Sequence, residues 1–302
     1  MSAATPDVLR RPTDRLGRRR GVNRGMEALC WFAAAIAVFF LGVVVWSVAK
    51  QGASALNLDL FTKSQSASSG LLGGPVKQGL ANAFVGTLII VGMATAMALP
   101  FGILIAIYVN EFAPPAIKGT VGLTLDVLAG VPAIVIGIFV YELVVVAHGQ
   151  SAYAGAFALA VIMLPLVSRT TIEVLALVPD SLREAALGVG APRWRATLGI
   201  VLPQTIGGVL TGATLAVARV AGETAPLLFV CSLAAPGTHF DPSQPLQTIP
   251  VAIFELVDQP DSASHALAWA GALVLITFIL LLSLGARWFA TRSRRKLARA
   301  VG

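Results

Sequence analysis

Six uninterrupted apolar runs organise the chain: Glu27–Ala49, Leu80–Val109, Val121–Ala147, Tyr153–Leu177, Thr205–Val230 and Ala266–Phe289. Each reaches the roughly 20 residues that a helix needs to cross hydrocarbon. The runs are continuous rather than alternating, which excludes the strand pattern of a membrane barrel. The pattern therefore predicts an all-α, polytopic integral membrane protein with six transmembrane helices. Pro100, Pro132 and Pro165 fall inside the second, third and fourth runs and are expected to kink or interrupt them. The first run follows a cluster of arginines and ends in Ser47-Val48-Ala49, loosely like a signal-peptide cleavage site. It exceeds the roughly 7–15 residues of a signal peptide's apolar region, so an uncleaved helix is expected.

Between the runs lie segments of different character. Residues 1–26 are expected to form a basic cytoplasmic tail, 27–49 the first transmembrane helix, 50–79 an external loop, 80–290 a membrane core, and 291–302 a second basic cytoplasmic tail. The 50–79 loop is rich in Gly and Ser around Ser64–Gly74 and reads as irregular. The connection Ser232–Ser264 carries Pro236, Pro242, Pro245, Pro250 and Pro260, and within it Val251–Val257 reads as a short helix lying in the membrane interface.

Composition strengthens the membrane assignment. The chain is 56% hydrophobic and 12% charged, against about 25% charged for soluble domains. Its net charge of +7 is concentrated at the ends: Arg10, Arg11, Arg15, Arg18, Arg19, Arg20 and Arg24 before the first run, Arg292, Arg294, Arg295, Lys296 and Arg299 after the last. Neither cluster is interleaved with aromatics, which speaks against nucleic acid, and basic flanks mark the cytoplasmic face of a membrane protein. An even helix count places both tails on that face. Lys118, Arg183, Arg193 and Arg195 fall in connections on the same side, whereas Cys231–His265 contains no Lys or Arg. Cys30 and Cys231 show no metal or redox spacing, and His148, His239 and His265 scatter over loops as surface histidines.

Charges inside the runs are costly, on the order of 2.5–3.5 kcal/mol each near the bilayer centre, and normally face a polar interior. Arg169 and Glu173 sit in the fourth run and Arg219 and Glu223 in the fifth, each pair spaced i,i+4 on one helix face. Arg169 falls slightly cytoplasmic of its helix midpoint and Arg219 close to the middle of its own. Two guanidinium forks at similar depth suit an oxyanion; the alternative is that each pair is an internal bridge holding the bundle together. Asp126 and Glu142 of the third run are weaker candidates.

The polar break Asp180–Pro203 contains Glu184-Ala-Ala186, three residues, Gly190, nine residues, then Ile200-x-Leu202-Pro203. Leu182, Ala185 and Ala186 give a short helix a face that another protein can approach closely. Gly190 permits a turn, and Pro192 can open a second helix. Along its whole length this spacing resembles the docking loop of bacterial ABC-importer permeases.

Three further stretches narrow the resemblance: Ala129-Gly-Val-Pro-Ala-Ile-Val-Ile-Gly-Ile-Phe139, Ala218-Arg-Val-Ala-Gly-Glu-Thr-Ala-Pro-Leu-Leu-Phe229, and Tyr108-Val-Asn-Glu-Phe112. Over about residues 75–290 the chain resembles the phosphate-specific ABC transporter permeases of PstA type, with Gly222-Glu-Thr-Ala-Pro226 the distinctive element. The resemblance implies a type I importer (MetI-like) permease fold in the bacterial inner membrane. It implies four kinds of partner: a sister permease of PstC type, an ATPase dimer of PstB type, an external phosphate-binding protein of PstS type, and inorganic phosphate as cargo. It also implies that Arg219, Glu223, Arg169 and Glu173 lie on the anion path and that Glu184, Ala185, Ala186 and Gly190 contact the ATPase.

The sequence lacks a Gly-x-x-x-x-Gly-Lys-[Ser/Thr] phosphate loop and any nucleophile or metal constellation. The chain is therefore expected to be no enzyme and to bind no cofactor directly, ATP being used by a partner. Two other readings compete: a permease for sulfate or molybdate, against which the Gly222–Pro226 stretch speaks, and a channel or secondary carrier, in which the docking loop has no purpose.

Overall fold

A computed structural model describes residues 13–64, 79–231 and 238–301, with side chains described from residue 19 and, past 285, only at 287 and 288. The Gly/Ser-rich stretch of the first loop and Pro236 of the second lie outside these residues. The chain divides into Met1–Lys50 and Gln51–Gly302.

The first unit is dominated by α1 (Thr13–Gly52), which begins inside the basic tail and continues through the first apolar run. Trp31, Phe32, Phe39, Phe40 and Trp46 are all exposed. A helix apolar on every side is one whose solvent is lipid.

The second unit opens with a short helix, α2 (Leu58–Thr62), capped by the Asn57 side chain on the Leu60 amide. Helix α3 (Ala81–Ile107) follows and ends in a widened π turn, Tyr108–Phe112, before Pro114 and Pro115 stop it. The third apolar run is broken. Helix α4 (Pro115–Gly130) and helix α5 (Ala133–Val140) meet at 93° across Val131-Pro132. Pro132 removes an N–H, and its ring drives Val131 into extended backbone, so the helix cannot run through. α5 continues through a second π turn, Tyr141–Val145, into α6 (Val146–His148). By contrast, Pro100 in α3 and Pro165 in α7 (Ala152–Ala176) are carried inside unbroken helices. Of the three prolines, Pro132 alone interrupts.

The polar break supplies α8 (Asp180–Gly188) and α9 (Arg193–Ala196). Helix α9 runs through a third π turn, Thr197–Val201, directly into α10 (Leu202–Ala221). The widened turn comes just before Pro203, whose missing N–H and bulky ring disturb the regular ladder. Ile200, Leu202 and Pro203 therefore belong to a membrane helix rather than to the loop in which the sequence places them. The fifth span starts at Arg193 and ends at Ala221; Gly222–Pro226 forms a non-helical break before α11 (Leu227–Val230). Helices α12 (Ile249–Val257) and α13 (Ser262–Val301) complete the chain, and α13 includes the second basic tail. Among the described residues five unbroken helices are long and apolar enough to cross a membrane, and the bent α4–α6 pair makes a sixth.

The main core joins α3, α5, α7, α10 and α11, largely through small residues, Ala94 and Ala98 of α3 and Ala154, Ala156 and Ala158 of α7 among them. Close backbone approach replaces the hydrophobic drive that lipid cannot supply. Gly208-Val-Leu-Thr-Gly212 of α10 lies on α7: a Cβ at either glycine would stand 2.5 Å from Val174 or from Thr170. Helix α12 spans the segment expected to form a short helix, and it is docked on the bundle. Ile249, Val251, Ala252 and Leu256 are buried, and the Ile249 amide donates to Thr87 Oγ1 of α3 at 2.9 Å.

Candidate functional site

Three arginines sit at three levels of engagement. Arg183, on α8, is the most fully held. Its Nε and Nη2 donate to the carboxylate of Glu111 at 3.0–3.2 Å, its Nη2 also to Leu175 O at 2.9 Å, and its Nη1 to Val178 O at 2.6 Å and Asp180 Oδ1 at 3.0 Å. Arg169, on α7, donates to Gly122 O at 3.0 Å and pairs with Asp126, both on α4. Arg219, in the last turn of α10, has only a loose ion pair: its Nε lies 3.8 Å from Glu223 Oε1, and its side chain is 62% exposed. That distance is too long for a hydrogen bond. The donors of Arg219 therefore have no hydrogen-bond acceptor among the described residues.

This placement corrects the sequence reading in three ways. Arg169 does not pair with Glu173 one turn along; Glu173 is exposed and without an ion pair among the described residues, because α4 brings a second carboxylate to Arg169. Arg219 is not at mid-helix but two residues from the end of α10, where a cation meets the negative end of the helix dipole favourably. Glu223 is not on the helix at all. It stands in the non-helical Gly222–Pro226 segment, so the two residues do not share a helix face. Glu142 is exposed in the π turn after α5.

The break carrying Glu223 is packed against the broken third span. A Cβ on Gly137 of α5 would stand 2.6 Å from Pro226 Cα, so these backbones touch only because residue 137 has no side chain. Two stretches far apart in sequence, 129–139 and 218–229, thus meet at one point.

At the opposite end of α10, α8 and α9 form a small element turned by Gly190, whose φ of +84° favours glycine. Leu182, Glu184, Ala185, Leu187, Val189 and Trp194 are exposed, whereas Ala186 is buried. The sequence predicts Leu182, Ala185 and Ala186 on one outward face. In the structure Ala186 is buried, three residues from Arg183 on the same inner side, and Ala196 of α9 is buried too.

The comparisons with known proteins agree with this architecture. The family described as binding-protein-dependent transport system inner membrane component matches residues 98–295. The chain belongs to this permease family, PstA type. The phosphate transport system permease protein PstA of Pasteurella multocida is 39% identical over 274 residues, 90% of this chain and 95% of the relative. The same-named protein of Haemophilus influenzae is 38% identical, covering 90% and 94%. PstA 1 of Mycobacterium tuberculosis is 38% identical, covering 72% of each chain. Among solved structures, a bacterial ABC transporter involved in the import of the acidic polysaccharide alginate superposes with a TM-score of 0.64 at 15% identity, over 92% of this permease and 99% of that chain. An inward-facing MetNI methionine ABC transporter gives 0.56 at 16% identity, over 71% and 94%. At such identities the two structures speak for the fold alone, the MetI-like permease fold; that the protein is a multi-pass inner-membrane component follows from the family match and the apolar helices. The Glu111–Arg183 and Arg169–Asp126 bridges were not legible in the sequence, since 72 and 43 positions separate their partners and no local spacing rule reaches that far.

Proposed function

We propose that this permease is the PstA-type membrane subunit of an ATP-driven importer of inorganic phosphate. The observation that carries the reading is the 39% identity with phosphate transport system permeases across nine-tenths of the chain. The site supports it chemically. A guanidinium with unengaged donors in an apolar segment is costly unless it faces a polar path, and a planar fork is suited to a phosphate oxyanion. Arg219 has that free capacity; Arg169 has less, and Arg183 has none to spare. Glu223 holds part of the charge of Arg219 in balance while no anion is bound, and the Gly222–Pro226 break lets both side chains leave the regular helix.

In this reading both termini and the α8–α9 element face the cytoplasm. The exposed Leu187, Val189 and Trp194, with Glu184 beside them, dock on a dimer of separate ATPase subunits that bind and hydrolyse ATP. A sister permease completes the path, and an external phosphate-binding protein delivers the cargo. This chain itself binds no nucleotide and catalyses no reaction.

The test is labelled phosphate uptake in cells lacking their own permease, with assembly followed by co-purification of the ATPase. Arg219→Gln is expected to stop uptake while the complex still assembles, and Arg219→Lys to recover little of it. If Arg219 only neutralises Glu223, the double variant Arg219→Gln/Glu223→Gln regains uptake, and the anion role is lost. Uptake of sulfate or molybdate in preference to phosphate overturns the cargo assignment.

A further inference from the structure

The bridge between Arg183 and Glu111 has a geometry that simple bracing does not require. It is the most buried ion pair among the described residues, with side-chain exposures of 18% and 9%. One guanidinium serves two helix ends at once. Glu111 belongs to the π turn that closes α3; the Leu175 carbonyl, which also accepts from Val178 N at 3.3 Å, lies in the last turn of α7, and the Val178 carbonyl just beyond it. Asn110 Nδ2 donates to the same carboxylate at 2.7 Å, and Lys118 Nζ holds the Asn110 carbonyl at 3.1 Å. The bridge lies beside a cleft of about 390 Å³ whose lining includes Asn110, Asp180, Leu187 and Arg193. A small apolar cluster of Ala106, Leu175, Val178 and Val201 joins α3, α7 and the π turn before α10.

The chain itself ties α8 to α7 through residues 177–179, and α9 to α10 through the π turn. Helix α3 has no such covalent tie. Beside its packing along α7, the small apolar cluster joins it to this element by contacts that carry no direction. The forked bridge fixes both register and orientation.

We propose that Arg183 is a positioning residue that passes movement of the α8–α9 element to α3 and α7 together, through Glu111 on one and the terminal carbonyls on the other. This rests on the docking reading given above. Helices α3 and α7 are packed against each other along their length, and Arg169 lies six residues before Leu175 on α7, roughly 9 Å along the axis. A shift of the docking element then reaches Arg169 as a movement of a rigid helix pair. Without the bridge, α7 and α10 still move with the element, and α3 follows only through its packing on α7, with no directed tie at its own end.

The experiment uses the whole importer in proteoliposomes, measuring ATP hydrolysed per labelled phosphate carried. In Glu111→Gln the ATPase is expected to co-purify at the unaltered level. Hydrolysis stays within about twofold while uptake falls about fivefold or more, the size of a typical coupling between sites. Arg183→Lys keeps the charge but cannot fork to both helices, and gives the same rise in the ratio. The double variant is no worse than the poorer single one, since both remove one device. If Glu111→Gln does not reach the membrane, Glu111→Asp keeps the charge, shortens the reach by one methylene, and carries the same expectation. An unchanged ratio with the ATPase bound, or hydrolysis falling in step with uptake, overturns the role of Arg183. Failure of the ATPase to co-purify with the unaltered chain overturns the docking reading itself, and this inference with it.

Discussion

Arg169 rests its guanidinium on Asp126 of another helix and leaves Glu173, one turn along its own, exposed and unpaired among the described residues. The pair ties α7 to the first half of the broken third span, so that whatever moves α7 also bears on the 93° corner at Val131-Pro132. Its members are 34% and 60% exposed, and such pairs contribute little to stability. Its value lies in holding the guanidinium in one place.

That placement separates two carboxylates which the sequence alone treats alike. Glu173→Gln is expected to leave phosphate uptake within about twofold of the unaltered chain, as for exposed charges in general. Arg169→Gln is expected to cost about tenfold or more, in line with loss of a charge-assisted contact. Asp126→Asn should fall between them, because Arg169 keeps its bond to Gly122 O but loses its counter-ion. Equal losses for Glu173→Gln and Asp126→Asn would return the i,i+4 pair to favour.

Gly190 offers a graded test of the docking element. Its φ of +84° strains a residue bearing a Cβ by about 1–3 kcal/mol, least for Asn and most for a β-branched side chain. No neighbouring atom lies within 4 Å of a Cβ added there, so sterics beyond the backbone do not enter. Uptake is therefore expected to fall in the order Asn, Ala, Val, with ATPase co-purification falling in the same order. A valine variant with full uptake at equal expression contradicts the docking role.

The successes and failures of sequence reading here divide along the range of the forces involved. The apolar runs and the turn at Gly190 are legible because each depends on the residue itself or on a period along one helix, whereas nothing local distinguishes Pro132, which breaks its span, from Pro100 and Pro165, which do not. The end of α10 is not legible either. Gly222 and Pro226 are visible, but the apolar residues around them suggest a span that continues to Val230, which would put Glu223 on a helix face. The inward turn of Ala186 was equally hidden, since the packing of α8 on α9 decides which side of so short a helix is outside. Asp126 and Glu111 found their partners through tertiary packing, about which i,i+4 spacing is silent.

The close contact of α7 and α10 supplies a stability test independent of transport. A Cβ on Gly212 would meet Thr170 Oγ1 at 2.5 Å, and a leucine has no room to turn aside in a stack of backbones this close. Gly212→Leu is expected to destabilise the chain by about 1–3 kcal/mol, the usual cost of overpacking. The change appears as a lower thermal midpoint of the purified permease. Gly199→Leu, where a Cβ has nothing within 4 Å, is the control and should change little. Similar midpoints for the two variants would mean that α7 and α10 are not held by small residues.

Glu255 gives a prediction about pH whose sign can be worked out. It stands on α12, half-buried, and receives a 2.7 Å hydrogen bond from Gln247 Nε2. Burial pushes its carboxyl above the ordinary value of 4.5, and the Gln247 bond offsets only part of that push. A carboxyl raised on folding contributes stability that is fully present below the unfolded value and is lost as the pH rises through the folded one. Glu255→Gln is neutral throughout and can still accept the Gln247 bond, so it escapes that loss. The difference in thermal midpoint, variant minus unaltered chain, should be smallest at pH 4.5 and below, grow as the pH rises, and level off towards neutrality. Asp241 and Asp261, both lowered by Ser hydrogen bonds, act with the opposite sign but are present in both proteins and cancel in the difference. The measurement is thermal unfolding of the two purified proteins across that range. A difference that stays flat, or that shrinks as the pH rises, shows that burial of Glu255 does not govern its ionisation.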